Sequence, residues 1–273
     1  MLEEADGRCR EAAEAFVSAP ASMRVTGGLS MLIARLAAQL GILDIQHDTV
    51  VKALARADGG VAVTADTPRG VRHWQARAVV VAVPPRLVAT WDFTPPLAAG
   101  VRERLAAIPT WMAGHAKAIA LYPEPFWRTR GLSGQAFSQR GPLGEIHDAS
   151  PADGSHGALM GFFLWPRPWR VQQAARLTEA VSRQLARLFG QQAARPVQLH
   201  VRDWADDPLT ATAADATAPQ THPVYGPVAL TDAAWGRHLV LAATEVAPTQ
   251  GGYLEGALEA ADHAVAALRE SRP

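Results

Sequence analysis

The stretch from His238 to Leu268 constrains this chain most, because it changes from strand-like to helix-like patterning across a pair of glycines. His238 to Ala243 is a short apolar run that reads as a buried strand. Thr244 to Gln250 is polar, contains one proline and reads as a loop. Gly251 and Gly252 then open a helix in which Leu254, Ala257, Leu258, Ala261, Val265 and Leu268 recur at helical spacing. A strand that empties through a Gly-Gly turn into a helix start presents outward N–H groups and the positive end of the helix dipole, which together favour an anion. Paired glycines also let a flat ligand approach the backbone. On pattern alone, an ordinary strand-to-helix connection is the stronger reading of the stretch.

Composition removes several classes of function. Lys plus Arg and Asp plus Glu both number 26, so no basic field is present to attract nucleic acid or an anionic membrane. An apolar content of 48% with 19% charged residues, over 273 residues, suits a globular chain with one large or two modest cores. No apolar run reaches the ~20 residues of a membrane span. The charged start M-L-E-E-A-D-G-R-C-R does not read as a secretory signal, and the cytoplasm is the expected location. Cys9 is the single cysteine, which excludes an internal disulfide and a cysteine-based metal site. The histidines lack H-x-x-x-H spacing with a carboxylate partner, and no G-x-S-x-G elbow occurs. Neither a metal nor a hydrolase nucleophile is expected.

In chain order, residues 1–22 read as an N-terminal helix stopped by Pro20. Gly27-Gly28 leads into an amphipathic helix carrying Leu29, Leu32, Ile33, Leu36 and Leu40. Strands are expected at Leu43–His47, Thr49–Ala55 and Val61–Ala65, with the turn Asp58-Gly59-Gly60 between the last two. Ala76–Val83 is a near-continuous β-branched run before Pro84-Pro85, as in a strand buried on both faces. Residues 96–227 read as a second unit. It has a helix around Leu97–Ile108 and strands around His115–Leu121, Ser133–Ser138, Gly144–His147, Leu159–Leu164 and Val197–Trp204. The helix Ala174–Phe189 in this unit is closed by Gly190.

The wording T-E-x-x-x-x-x-G-G-Y-x-E-G-A-x-E-A-A resembles the C-terminal flavin-binding segment of the FAD-dependent amine oxidases, the monoamine and polyamine oxidase superfamily. T-G-G-L-x-x-L-I-x-x-L-A at 26–37, K-A-I-A-L-Y-P-E-P-F-W-R from Lys117, Met160-Gly161-Phe162 and Arg202-Asp203-Trp204 are similar to further phrases of that family. The resemblance implies an α/β (α+β) fold. Residues 23–95 and 228–273 would be the remnant of an FAD-binding Rossmann-like domain, and 96–227 a mostly antiparallel sheet-and-helix substrate domain. It implies noncovalent FAD met by Val51, Pro84, Trp204, Thr244, Glu245, Gly252, Tyr253 and Leu254. It also implies that Lys117 holds a water against flavin N5, that Tyr253 forms one wall of a substrate cage, and that Phe162 lines the cavity. A solvated, outward-facing Lys117 and a purely structural Val51 are the plain alternatives.

The chain departs from the family pattern in three places. It carries no G-x-G-x-x-G turn, the element that holds the FAD pyrophosphate. Ala243 stands where the family has glycine, and Ala214 where a second cage aromatic is expected. The implied activity is oxidation of a C–N bond in an amine-like small molecule, with hydride passing to flavin N5 and oxygen reduced to peroxide. A separate or missing N-terminal dinucleotide-binding half, supplied in trans, would account for the absent turn. The alternatives are a noncatalytic relative that keeps the fold without the cofactor, or a related flavoenzyme acting on non-amine substrates.

Overall fold

The computed structural model describes residues 25–40, 45–219, 221–228 and 234–270. The helix expected within residues 1–22 lies outside this set, as do Leu43 and Asp44, and Ile45–His47 are not in a strand. Helix α1 (Leu29–Gln39) follows the expected Gly27-Gly28 pair but buries none of its residues.

The first sheet is a meander of β1 (Val50–Ala57), β2 (Gly60–Thr67) and β3 (Gly70–Ala76). Ala57 pairs with Gly60 across Asp58-Gly59, where Gly59 takes a φ of 76°. Gly60 has no room for a side chain, since a Cβ would lie 2.2 Å from the Ala76 carbonyl oxygen. The expected continuous strand Ala76–Val83 is a correction. Ala76 ends β3, and only β4 (Val79–Val81) continues, with Val80 44% exposed and not buried on both faces. Such a β-branched run suits a double-sided core strand, but among the described residues the side packed on the core is that of Val79 and Val81.

Pro84 precedes the short helix α2 (Pro85–Val88), and β5 (Asp92–Thr94) then returns to lie parallel to β1. Helix α3 (Ala99–Ala107) was expected to open the second unit, yet Val101 and Leu105 bury themselves with Leu54, Val61, Val88 and Phe93 in the first core. Trp235 seals that core, edge-on to Phe93 at 5.3 Å, its indole N–H donating to the Pro95 carbonyl at 3.1 Å.

The second unit is a five-stranded antiparallel sheet. It comprises β6 (Ala116–Tyr122), β7 (Ala136–Phe137), β8 (Leu143–Asp148), β9 (Gly157–Phe163) and β10 (Gln198–Asp203), in the order β10-β6-β9-β8-β7. The run expected at Ser133–Ser138 contributes only two strand residues. Ala116, Ala118, Ala120 and Tyr122 alternate onto the buried face of β6 and meet Val181, Leu185 and Phe189 of the covering helix. The expected helix Ala174–Phe189 is a 3-10 turn at Ala174–Arg176 and then a helix from Leu177 to Phe189; the short helix α5 (Arg167–Gln172) before it was not anticipated. The Leu177–Phe189 helix, α6, is pinned by buried Gln184. That side chain accepts from the Leu143 N–H at 2.8 Å and donates to the Leu143 carbonyl at 2.7 Å.

The chain then returns to the first unit. β11 (Leu239–Leu241) lies parallel to β4 and is shorter than the run expected over His238–Ala243. Thr244–Val246 forms a 3-10 turn, and helix α7 occupies Leu254–Glu270. No described helix is long and apolar enough to cross a membrane.

Candidate functional site

The ends of β4 and β11 and the flank of α7 form a groove of about 410 Å³. Pro84, Ala243, Thr244 and Glu245 line it, together with Val80, Ala257, Ala261 and Val265. Three expected cofactor-binding residues therefore share one wall. Val51 lies apart from them, partly buried against the first core.

Thr244 organises the end of the groove. Its hydroxyl oxygen accepts from the Gly252 N–H at 2.9 Å and donates to the Tyr253 carbonyl at 2.7 Å. The Tyr253 N–H is spent on the Gln250 carbonyl, so the helix proper starts at Leu254, two residues later than the glycine pair suggests. The N–H groups without an intrahelical partner are thus those of the Leu254–Gly256 turn, and the first helical bond runs from Ala257 N–H to the Tyr253 carbonyl. Gly256 permits this packing, since a Cβ there would lie 2.0 Å from the Gln250 carbonyl oxygen. Glu245 is 3% exposed, and burial pushes its carboxyl above the ordinary glutamate range, with the nearby Asp215 charge acting in the same direction.

Lys117 lies on the β6 face opposite the second core, half-buried, with its Nζ 4.8 Å from the centroid of the Phe162 ring. Sheet register explains the contact, because Lys117 and Phe162 are direct cross-strand partners. Trp204 begins the 3-10 turn after β10, under the Arg202 guanidinium at 5.0 Å, and its N–H donates to the His115 carbonyl.

Tyr253 is joined to the Lys117 region by residues that sequence reading did not single out. The His222 imidazole stacks on the Tyr253 ring at 4.9 Å with an interplanar angle of 4°. Trp111 lies 5.0 Å from His222 and 6.0 Å from His115, which stands two residues before Lys117. The chain bends into this cluster at Met112, whose φ of 67° is unusual for a residue with a side chain. The Tyr225 hydroxyl donates to the Pro109 carbonyl at 2.7 Å and ties the loop at 221–228 to the same turn. Ala214, where a second aromatic was expected, sits exposed in a 3-10 turn; the face of Tyr253 is covered by His222 instead.

The histidine Nδ1 of residue 222 lies 2.9 Å from the Pro223 carbonyl, which can only accept, so this nitrogen carries the proton. Its buried Nε2 has no hydrogen-bond partner, and neither has the buried Nδ1 of His115. Burial, then the charges of Arg170 and Lys117, hold the His115 imidazole below the usual histidine value. Arg170 itself is committed: it grips both carboxylate oxygens of Asp203, at 2.6 and 2.9 Å, and donates to the Trp165 and Gly114 carbonyls. The spacing of His115 and Lys117 on one strand could have marked the former. His222 and Tyr225 lie in H-P-V-Y, which carries no periodic signal.

Fold and site thus define a mixed α/β protein whose cleft joins a glycine-opened helix start to the solvent-side face of an antiparallel sheet. The chain belongs to the flavin containing amine oxidoreductase family, whose model matches residues 7–269. It is 31% identical over 249 residues to a Mycobacterium tuberculosis protein bearing the name flavin-containing monoamine oxidase AofH, covering 89% of this chain and 51% of that protein. It is 27% identical over 251 residues to an L-amino acid dehydrogenase of Synechocystis, covering 91% and 51%. Wild-type putrescine oxidase solved with putrescine shares the fold, with a TM-score of 0.68 at 23% identity over 89% of this chain and 53% of that one. The chain spans about half the length of these relatives.

The residues present fit the ring end of a flavin. The groove wall is built from small side chains, and the unpartnered N–H groups at the start of α7 are donors for an electron-rich ring edge. The diphosphate end finds no G-x-G-x-x-G turn anywhere in the sequence.

Proposed function

We propose that this chain supplies the flavin-ring and substrate-facing parts of an FAD-dependent oxidoreductase of the amine oxidase type, acting with a dinucleotide-binding half provided in trans. The observation that carries this reading is the continuous set of side chains from the α7 start through Tyr253, His222 and Trp111 to His115 and the Lys117–Phe162 pair. The names of the relatives, a monoamine oxidase and an amino acid dehydrogenase, support C–N bond oxidation as the reaction class.

FAD, when bound, accepts two electrons from the substrate carbon and returns them to oxygen as peroxide. Pro84, Thr244, Glu245 and the Leu254–Gly256 turn would hold its ring end, with Trp204 on the sheet side, while Val51, apart from them, would meet the adenine. The α7 dipole stabilises negative charge at that edge. Lys117 positions a water by hydrogen bonding, Tyr253 and Phe162 bound the substrate space, and the apolar groove excludes bulk water. The exposed apolar side chains beside this groove, Val80, Leu258 and Val265, offer a seat for the second half.

The test is a visible absorption spectrum of the chain with FAD, alone and with a co-expressed dinucleotide-binding half from a family member. A perturbed flavin band that needs both parts supports the reading, and Lys117→Met in the assembled protein then slows flavin turnover by ~100-fold or more. A colourless mixture in both cases favours the noncatalytic reading, which Ala243 and the closed His222–Tyr253 stack also favour.

A further inference from the structure

The glycine pair that lets a flat ligand approach the start of α7 is already covered, and by the chain's own loop at 221–228. A Cβ on Gly251 would lie 2.4 Å from the Cβ of Tyr225. One on Gly252 would lie 2.8 Å from Nε2 of His222 and 2.9 Å from Cε2 of Tyr225. His222 lies flat on the Tyr253 ring, and it meets Trp111 at 5.0 Å and the edge-on ring of Tyr225 at 5.5 Å. The imidazole thus fills the place that a planar ring would take between the glycines and Tyr253. It fits by shape alone, because its buried Nε2 has no hydrogen-bond partner. Native structures seldom leave a buried polar atom in that state without use.

The loop is held lightly. Among the described residues, no backbone N–H or C=O group of 221–228 bonds to a strand, a helix or another loop, and the Pro223 carbonyl meets only the neighbouring His222 ring. What fixes the loop is the Tyr225 hydroxyl, which donates to the Pro109 carbonyl at 2.7 Å, together with the ring contacts. Val224, between the two rings in sequence, is wholly exposed. The flanks are anchored, since Asp215 pairs with Arg86 on one side and Val228 packs on the first core on the other. Segments with fixed ends and no backbone ladder open at the least cost, and lids are drawn from them. We propose that residues 221–228 are a strap that closes the start of α7, and that a flat ring docks against Gly251, Gly252 and Tyr253 only when the strap withdraws. For its ligand the inference rests on the oxidase reading above; the strap itself does not depend on it. The closed stack is then a resting state and not a lost site.

The first test needs no ligand. Chymotrypsin cuts after tyrosine, and the bond between Tyr225 and Gly226 is guarded only while Tyr225 stays packed; mass spectrometry follows that cut in the full chain. Gly251→Ala puts a methyl group where Tyr225 sits and adds no backbone strain, since Gly251 lacks a positive φ. Cleavage at Tyr225 is expected to quicken ~10-fold or more with the other sites unchanged, because cutting of a fast-opening segment follows its open population. His222→Ala, which removes the stacked ring, should act in the same way. Unchanged cleavage at Tyr225, or equal acceleration at every site, overturns the strap.

The second test titrates the same three proteins with lumichrome, a flat flavin-type ring without ribityl chain or phosphate, and reads its fluorescence. His222→Ala is expected to bind lumichrome ~10-fold more tightly than the parent chain, since apparent affinity rises with the fraction of open molecules. Equal or weaker binding by His222→Ala would make the imidazole part of the ring's own site and overturns the proposal. If lumichrome binds none of the three while cleavage at Tyr225 quickens as expected, the strap stands and the flavin reading fails.

Discussion

The two faces of this molecule are built to different standards. Behind the substrate sheet, Trp127, Leu143, Ile146, Leu159 and Leu185 are almost wholly buried, and Trp127 packs edge-on against Phe126 and Tyr122 at 5.1 and 5.8 Å. Beside the groove, β4 and β11 form a two-stranded ribbon, and α7 buries only Gly256, Ala260 and Ala264. Leu254, Leu258 and Val265 stay exposed there, and α1 buries nothing. Two strands and one helix face are marginal alone. An apolar stripe left in water marks a surface made to be covered. The contrast separates a sheet covered by its own helix from a groove whose rim keeps apolar side chains exposed.

Substitutions can break that contrast or sharpen it. Trp127→Ala should cost the most, about 3–5 kcal/mol, because an entirely buried indole leaves a cavity and its N–H loses the 2.8 Å hydrogen bond to Asp148. Denaturant titration should show the loss as a lower midpoint; a smaller loss would mean that the sheet core is looser than its burial implies. Gly256→Ala should cost about 1–3 kcal/mol by overpacking against the Gln250 carbonyl. Hydrogen exchange should place that loss in α7 and not in the β6 sheet.

Glu245→Gln works through pH. A carboxyl whose folded pKa is raised contributes stability that is fully present below the unfolded value and is lost as pH rises through the folded one. Burial raises the Glu245 pKa, so the glutamine variant should gain on the parent as pH rises above the ordinary glutamate range. A stability difference that stays constant over that rise would show that the carboxylate is compensated. The smallest effect on the chain alone belongs to Leu258→Ser and Val265→Ser, each within ~0.5 kcal/mol since both side chains are already exposed. The same changes should abolish assembly with a dinucleotide-binding half in size-exclusion chromatography, and unaltered assembly would remove this face as its seat.

Local patterning made much of the fold legible. The hairpin at Asp58-Gly59, the alternation that sets Lys117 on the face opposite Ala116 and Ala118, and the helix after Gly251-Gly252 are each dictated within a few residues. Misreadings arose where burial depends on remote partners. Ala76–Val83 has the composition of a double-sided core strand, yet it breaks after Ala76, and Val80 faces the open groove, 44% exposed. Gly252 reads as the helix start, but Thr244 takes its N–H first and moves the first helical turn to Leu254.

The sequence by itself determined the family and the mixed α/β class, since both live in short motifs of fixed spacing. Tertiary structure alone decided that Ala214 stays exposed, that His222 stacks on the Tyr253 ring, and that Trp111 stands between His222 and His115. The contact of Trp111 with His222 joins segments more than a hundred residues apart. No local periodicity encodes such a juxtaposition, which is fixed only when loops of particular length close over two finished cores.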